Sequence, residues 1–225
     1  RPRILAAVRP VFGLGSRPPD ITRGSSHIRY VGTAQTLRLT TDAPISYVLD
    51  ETPFAVDRPM SFFIGADEPL QSEVDATARE FLDKTTVWWR DWARALSIPF
   101  DWQDAVIRAA ITLKLCNFEE TGAIVAALTT SIPEAPGTAR NWDYRFCWLR
   151  DAYFVVHALN RLGTTRTMEE YVNFMGNVVD TFGAEKEFNL PPLLSITRNG
   201  STEEFIATAL KGYRGDGPVR IGNAA

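Results

Sequence analysis

"RNWDYRFCWLRDAYFVV" occupies residues 140–156 and sets Trp142, Tyr144, Phe146 and Trp148 at every second position, with Arg150 and Asp151 directly after. In extended chain, alternate side chains share a face, so this spacing predicts one aromatic wall. The wall has two readings. It is either the buried face of a strand or the lining of a polar ligand site, because aromatic faces serve apolar cores and the C–H faces of sugars alike. Arg150 and Asp151 fall at a strand-to-helix junction. There the aspartate can cap the helix beside a surface arginine, or the two can supply paired donors and acceptors for vicinal hydroxyls. The stretch alone leaves both open.

Downstream, "DAYFVVHALNRLG" reads as a helix closed by Gly163 at the C′ position. "TRTMEEYVNFMGNVVD" reads as another, with Thr167 and Glu170 as a capping box. Upstream, "DWQDAVIRAAITLKLCNF" carries a helical stripe of Val106, Ala109, Ala110, Leu113 and Phe118, with Asp101 or Asp104 as cap. Between these helices lies "GAIVAALTTSIPEAPGTARNWDYRFCW", an extended segment with a Pro/Gly-rich loop; long non-helical connections of this kind tend to carry function. Residues 70–97 have helical spacing and link this region to an earlier one. That earlier region, residues 26–75, reads as β: "SHIRYVG", "TLRLTTD", "ISYVLDETPFAV" and "MSFFIGADE" are short, β-branched and aromatic, with turn signals between them. The expected class is therefore β followed by α.

Composition excludes several function classes. The 225 residues are 45% hydrophobic and 23% charged, which suits a folded core. A net charge of −3 gives no electrostatic reason for nucleic acid or an anionic membrane. No apolar run approaches the length of a membrane span, roughly 18–20 residues. The arginines in "RPRILAAVRPVFGLG" argue against a signal peptide, so a cytoplasmic protein is expected. Cys116 and Cys147 read as reduced, buried thiols, and His27 and His157 are too far apart in sequence to suggest a metal site. No cofactor is implied. His157 reads as a packing residue, Glu119 and Glu120 as a solvated turn, and Asn199-Gly-Ser as a chance glycosylation triplet. Trp88, Trp89 and Trp92 read as helix packing, and "GYRGDGP" (212–218) as a loop whose Tyr213 or Arg214 could face a ligand. The chain starts at Arg1 and stops at "RIGNAA" without a terminating turn, which reads as a piece of something longer.

Within "NWDYRFCWLRDA" the residues Asn141, Asp143, Tyr144, Phe146, Trp148, Arg150 and Asp151 resemble the motif of glycoside hydrolase family 15, the glucoamylase and trehalase-like hydrolases. "VIRAAITLKLCNFEETGAIVAALTTSIPE", "GYRGDGPVRIGNAA" and "TRGSSHIRYVG" resemble its bacterial branch, so the likeness covers nearly the whole chain. It implies the C-terminal part of an N-terminal β super-sandwich (1–69), a helical linker (70–100) and the first helices of an (α/α)6-barrel catalytic domain (101–225). It also implies an α-glucoside substrate such as trehalose or a maltooligosaccharide. Arg150 and Asp151 would then bind hydroxyls of the terminal glucose, Tyr144 would lie beside its ring and Trp148 would shape the pocket. Asp143 belongs to the same motif, and Arg214 corresponds to a pocket arginine. Members of the family invert, one Glu acting as acid and another as base. No Glu among residues 1–225 matches either motif, so no catalytic acid or base is assigned. The competing readings are a non-catalytic carbohydrate-binding or regulatory protein and a purely structural module. A partial barrel should also expose apolar helix faces and favour self-association.

Overall fold

The computed structural model describes residues 1–10, 18–32, 35–182, 190–197 and 200–224. Asn199 of the glycosylation triplet, and residues 11–15 of the N-terminal run, lie outside them. The chain divides into two compact units, Arg1–Arg90 and Asp91–Ala225.

The first unit contains β1 (Arg3–Ile4), β2 (Asp20–Arg23), β3 (His27–Val31), β4 (Leu37–Thr41), α1 (Ile45–Leu49), β5 (Phe54–Ala55) and β6 (Phe62–Ala66), followed by α2 (Val74–Arg94) as far as Arg90. Strands β2, β3, β4 and β6 make an antiparallel sheet in that order, and β1 pairs with β5. Period-two alternation sends Ile28, Tyr30 and Leu39 into a core with Ala43, Val48 and Phe54, against which Ile4 also packs. A fully buried side chain of this kind contributes about 1.5–3 kcal/mol. On the opposite register Arg29 pairs with Arg38, a like-charge pair that would repel. Asp67 relieves it by accepting from Arg29 Nε at 2.8 Å and lying 3.6 Å from Arg38.

One strand expected here is a helix. In "ISYVLDETPFAV" only Phe54–Ala55 is extended; Ile45–Leu49 forms α1. Pro44 sits at its N-cap with φ −62°. Ile45, Val48 and Leu49, spaced i, i+3, i+4, turn one face to the core. Helix α2 packs Phe81 edge-on against Phe63 of β6 at 5.6 Å, while Trp88 meets Trp89 edge-on at 4.8 Å.

The second unit contains α3 (Gln103–Leu115), β7 (Asn117–Phe118), β8 (Ala123–Ile124), β9 (Cys147–Trp148), α4 (Leu149–Arg161), α5 (Thr165–Phe182), β10 (Leu193–Leu194), β11 (Phe205–Ile206) and β12 (Arg220–Ile221). Ala123, Ile124, Cys147, Ala152, Phe174 and Leu194 form its core, where the small alanines let β8 approach helices α4 and α5. Helix α4 ends as expected at Gly163. With φ +83° the glycine supports a Schellman turn, its N–H bonding Asn160 O while Thr164 N–H bonds Leu159 O.

The expected caps do not form. Helix α3 is preceded by Trp102 in a left-handed conformation without a side-chain cap, and Asp104 lies in the first turn, where the helix dipole favours it. Helix α5 starts at Thr165, directly after the Schellman turn, so Thr167 is buried inside it and Glu170 accepts from Arg166 Nε at 2.7 Å instead of closing a capping box. Glu119 is not merely solvated, for it lies 2.7 Å from the buried Nζ of Lys114. His157 is exposed and stacked on Tyr153 rather than packed inside. None of the described helices is long and apolar enough to cross a membrane.

Candidate functional site

Residues 126–131 run antiparallel to 142–146 through Ala126 N–H to Phe146 O, Ala127 N–H to Tyr144 O, Tyr144 N–H to Thr129 O and Ser131 N–H to Trp142 O. The neighbouring donors of Ala126 and Ala127 reach carbonyls two residues apart, a bulge-like break in the ladder. The regular strand resumes only at Cys147–Trp148, which pairs with β10. The aromatic wall is therefore divided. Trp142, Tyr144 and Trp148 line one cavity of about 210 Å³, whereas Phe146 lines another with Asp143 and Arg145.

The first cavity also takes in Ala126, Glu134, Arg150, Asp151 and Asn223. Trp148 is the N-cap of α4, with extended backbone, so Arg150 and Asp151 occupy the first helical turn and neither caps it. Arg150 Nη2 donates to Asp151 Oδ2 at 3.0 Å. With Arg150 75% and Asp151 33% exposed, this pair adds little stability. Each partner keeps hydrogen-bonding capacity: the guanidinium has further N–H donors, and a carboxylate can accept several bonds. The Tyr144 and Trp148 rings lie 6.3 Å apart at 45°. Aromatic faces beside a donor–acceptor pair suit a polyhydroxylated ligand with apolar C–H faces. Among the described residues no three His, Cys, Asp or Glu side chains come together as metal ligands would.

Two candidates lie apart from this group. Asp143 is 1% exposed and fully engaged: Arg145 donates to it from Nε (2.9 Å) and Nη2 (2.8 Å), and Gly222 N–H donates at 3.1 Å. These bonds turn it toward the second cavity, where it anchors the wall. Burial pushes its carboxyl up, but the hydrogen bonds from Arg145 and Gly222 outweigh that and hold it below the usual carboxylate range. Arg214 sits exposed at φ +54°, its guanidinium 5.4 Å from the Tyr213 ring centroid, and is not among the residues lining the first cavity.

The loop containing Tyr213 reaches the site by another route. Gly137 N–H donates to Asp216 Oδ2 (3.1 Å), Asn141 Nδ2 to Pro218 O (2.9 Å), Thr130 Oγ1 to Arg220 O (2.6 Å) and Asn223 Nδ2 to Asp143 O (3.2 Å). Sequence reasoning missed Glu134 and Asn223 as lining residues. Their one signal was position, Glu134 opening the Pro/Gly-rich loop and Asn223 lying in the family-like stretch "GYRGDGPVRIGNAA".

Comparison with known proteins gives these side chains a context. Residues 101–225 match Glycosyl hydrolases family 15. Over 230 aligned positions the chain is 32% identical to a trehalase of Thermoplasma acidophilum, covering 99% of this chain and 38% of that protein. It is 40% identical over 144 positions to a trehalase of Thermoplasma volcanium, covering 64% of this chain and 22% of the relative. A trehalase of Mycolicibacterium smegmatis is 37% identical over 143 positions, covering 63% and 21%. The chain thus spans well under half the length of these relatives. No solved structure matches it. The family match covers more than half of the chain and includes every residue lining the first cavity, so the chain belongs to glycosyl hydrolase family 15.

Proposed function

We propose that the whole protein carrying this chain is a trehalase-type glycoside hydrolase that cleaves a terminal α-glucosidic bond with inversion. Within it, residues 1–69 belong to a β super-sandwich, 70–100 to a helical linker and 101–225 to an (α/α)6 barrel. The observation that carries the proposal is the cavity in which Tyr144 and Trp148 meet Arg150 and Asp151. That the relatives named above are trehalases supports trehalose as the substrate.

In this reading the non-reducing glucose lies with a C–H face against Trp148 and Tyr144. Asp151 accepts a hydrogen bond from one hydroxyl, and Arg150 donates to the oxygen of its neighbour. A charged pair presented by consecutive residues of one helical turn reads two hydroxyls in a fixed relation. Tyr144 offers its electron-rich face to the positive charge that develops on the ring as the bond breaks. These residues hold and orient the sugar. The proton donor to the leaving oxygen and the base that activates water are assigned to no residue of this chain.

The test is Asp151→Asn in the whole protein. Losing a charged acceptor from a sugar hydroxyl is expected to lower kcat/KM on trehalose by at least about 10-fold, with an unchanged melting temperature. Unaltered kinetics would refute the pocket assignment. Trehalose binding without any turnover by the wild type would instead indicate a non-catalytic carbohydrate-binding protein.

A further inference from the structure

We infer that Glu134 is a specificity-determining residue of the same sugar pocket, accepting a hydrogen bond from a substrate hydroxyl that Arg150 and Asp151 do not read. The inference rests on the functional reading above and adds a second carboxylate–guanidinium pair to it.

Glu134 lines the cavity of Tyr144, Trp148, Arg150 and Asp151 although it comes from a different segment, the loop that joins the two antiparallel runs. Arg140 holds its carboxylate from one side, Nε and Nη2 both donating to Oε2 at 3.2 and 2.9 Å. No hydrogen bond to Oε1 is found among the described residues. One oxygen is thus fixed by a guanidinium fork while the other keeps its accepting capacity. A carboxylate with one oxygen held and the other open can accept from a hydroxyl donor, and ordering it in advance reduces the entropy lost when a ligand binds.

The loop that carries it is fastened at several points. Glu134 N–H bonds Arg140 O at 2.9 Å across its neck, Thr138 Oγ1 bonds Ala135 O at 2.8 Å, and Asp216 receives Gly137 N–H. An exposed ion pair contributes little to stability, so the fold gains little from joining Glu134 to Arg140. An acceptor held in position at the edge of a pocket has a use in recognition. The pocket then carries two acceptors from two separate elements, the first turn of α4 and the 132–140 loop, and can distinguish hydroxyls at more than one ring position.

The experiment uses the whole protein with trehalose and its monodeoxy analogues as substrates. The wild type is expected to lose about 10-fold or more in kcat/KM on the analogue that lacks the hydroxyl bound by Glu134, the size of a charged hydrogen bond. Glu134→Gln, which keeps an acceptor but removes its charge, should shrink the penalty against that analogue several-fold, and Glu134→Ala should abolish it, while both keep the penalties at positions bound by Asp151. Arg140→Gln, which leaves the carboxylate but removes the guanidinium that holds Oε2, should weaken the same penalty, and it provides a readout if the Glu134 variants do not fold. A purely structural loop staple would move the melting temperature and leave every analogue ratio alone; that pattern in these variants overturns the inference while the pocket assignment stands. A wild type that neither binds nor cleaves trehalose removes both together.

Discussion

Burial alone would raise the carboxyl pKa of Asp143, yet the donors of Arg145 and Gly222 hold it down. A carboxyl whose pKa falls on folding gives its full stabilisation above the unfolded-state value of about 3.9 and loses it as the pH drops through the folded value. The unit holding it should therefore lose stability below about pH 4. Asp143→Asn should remove that part of the acid dependence and cost about 2 kcal/mol at pH 7, measured by urea unfolding across the pH range. At Cys147, burial pushes the thiol up to about 11, and burial also raises Cys116. We expect iodoacetamide at neutral pH to leave Cys147 unlabelled until the protein unfolds, since the thiolate is the reacting species; rapid labelling of the native protein would contradict this. At this scale the sequence was legible in which residues come together, since Tyr144, Trp148, Arg150 and Asp151 line one cavity. It misled at Phe146, because a break in the ladder is set by the partner strand. Asp143 was legible only as a member of the motif; its bonds to Arg145 and to the distant Gly222 N–H, which place it at the second cavity, are tertiary information.

Two glycines separate local from tertiary information at the scale of elements. Gly163 was readable as a helix stop because its role depends on neighbours within one turn. Its φ is +83°, and an added Cβ would meet Ser97 Oγ at 3.2 Å. Gly163→Ala should therefore cost about 1–2 kcal/mol, the left-handed penalty. Gly122 also has positive φ, at +85°, but an added Cβ would lie 2.1 Å from the backbone oxygen of Glu170 in α5. A side chain there must displace backbone, and Gly122→Ala should cost more than about 3 kcal/mol. Denaturant midpoints of the two variants compare the effects directly; equal losses would mean that the β8–α5 approach yields more easily than this packing implies. The same distinction explains the missed helix starts. Asp101, Asp104, Thr167 and Glu170 carry valid capping signals, but Trp102 and the Schellman turn before Thr165 fix where the helices begin. Helix α1 was hidden because its 5 residues are too few to display a period.

Across the whole molecule, helices α4 and α5 leave Tyr153, Phe154, Val172 and Val179 in the open, with Phe154 62% exposed. Apolar surface of this kind favours association. We predict that the 225-residue polypeptide, produced by itself, self-associates with rising concentration, and that Phe154→Glu reduces this in light-scattering measurements; a monodisperse monomer at all concentrations would contradict it. The order of β before α was legible because period-two and helical spacing survive without tertiary context. The assembly of the site was not, because Asn223 joins it through a bond to Asp143 and the loop of Glu134 is tied down by Asp216, contacts that span much of the second unit. Those bonds bear on how the protein is made. Thr130 and Ser131 wait for Arg220, separated from them by 90 and 89 residues. At translation rates of about 5–20 residues per second, the aromatic wall, 72–78 residues before Arg220, leaves the ribosome roughly 4–16 s before the segment that secures it. During that interval the wall is open to chaperones and to misplaced partners, and slowing synthesis between the two should lower the yield of active protein more than the same delay placed after residue 223.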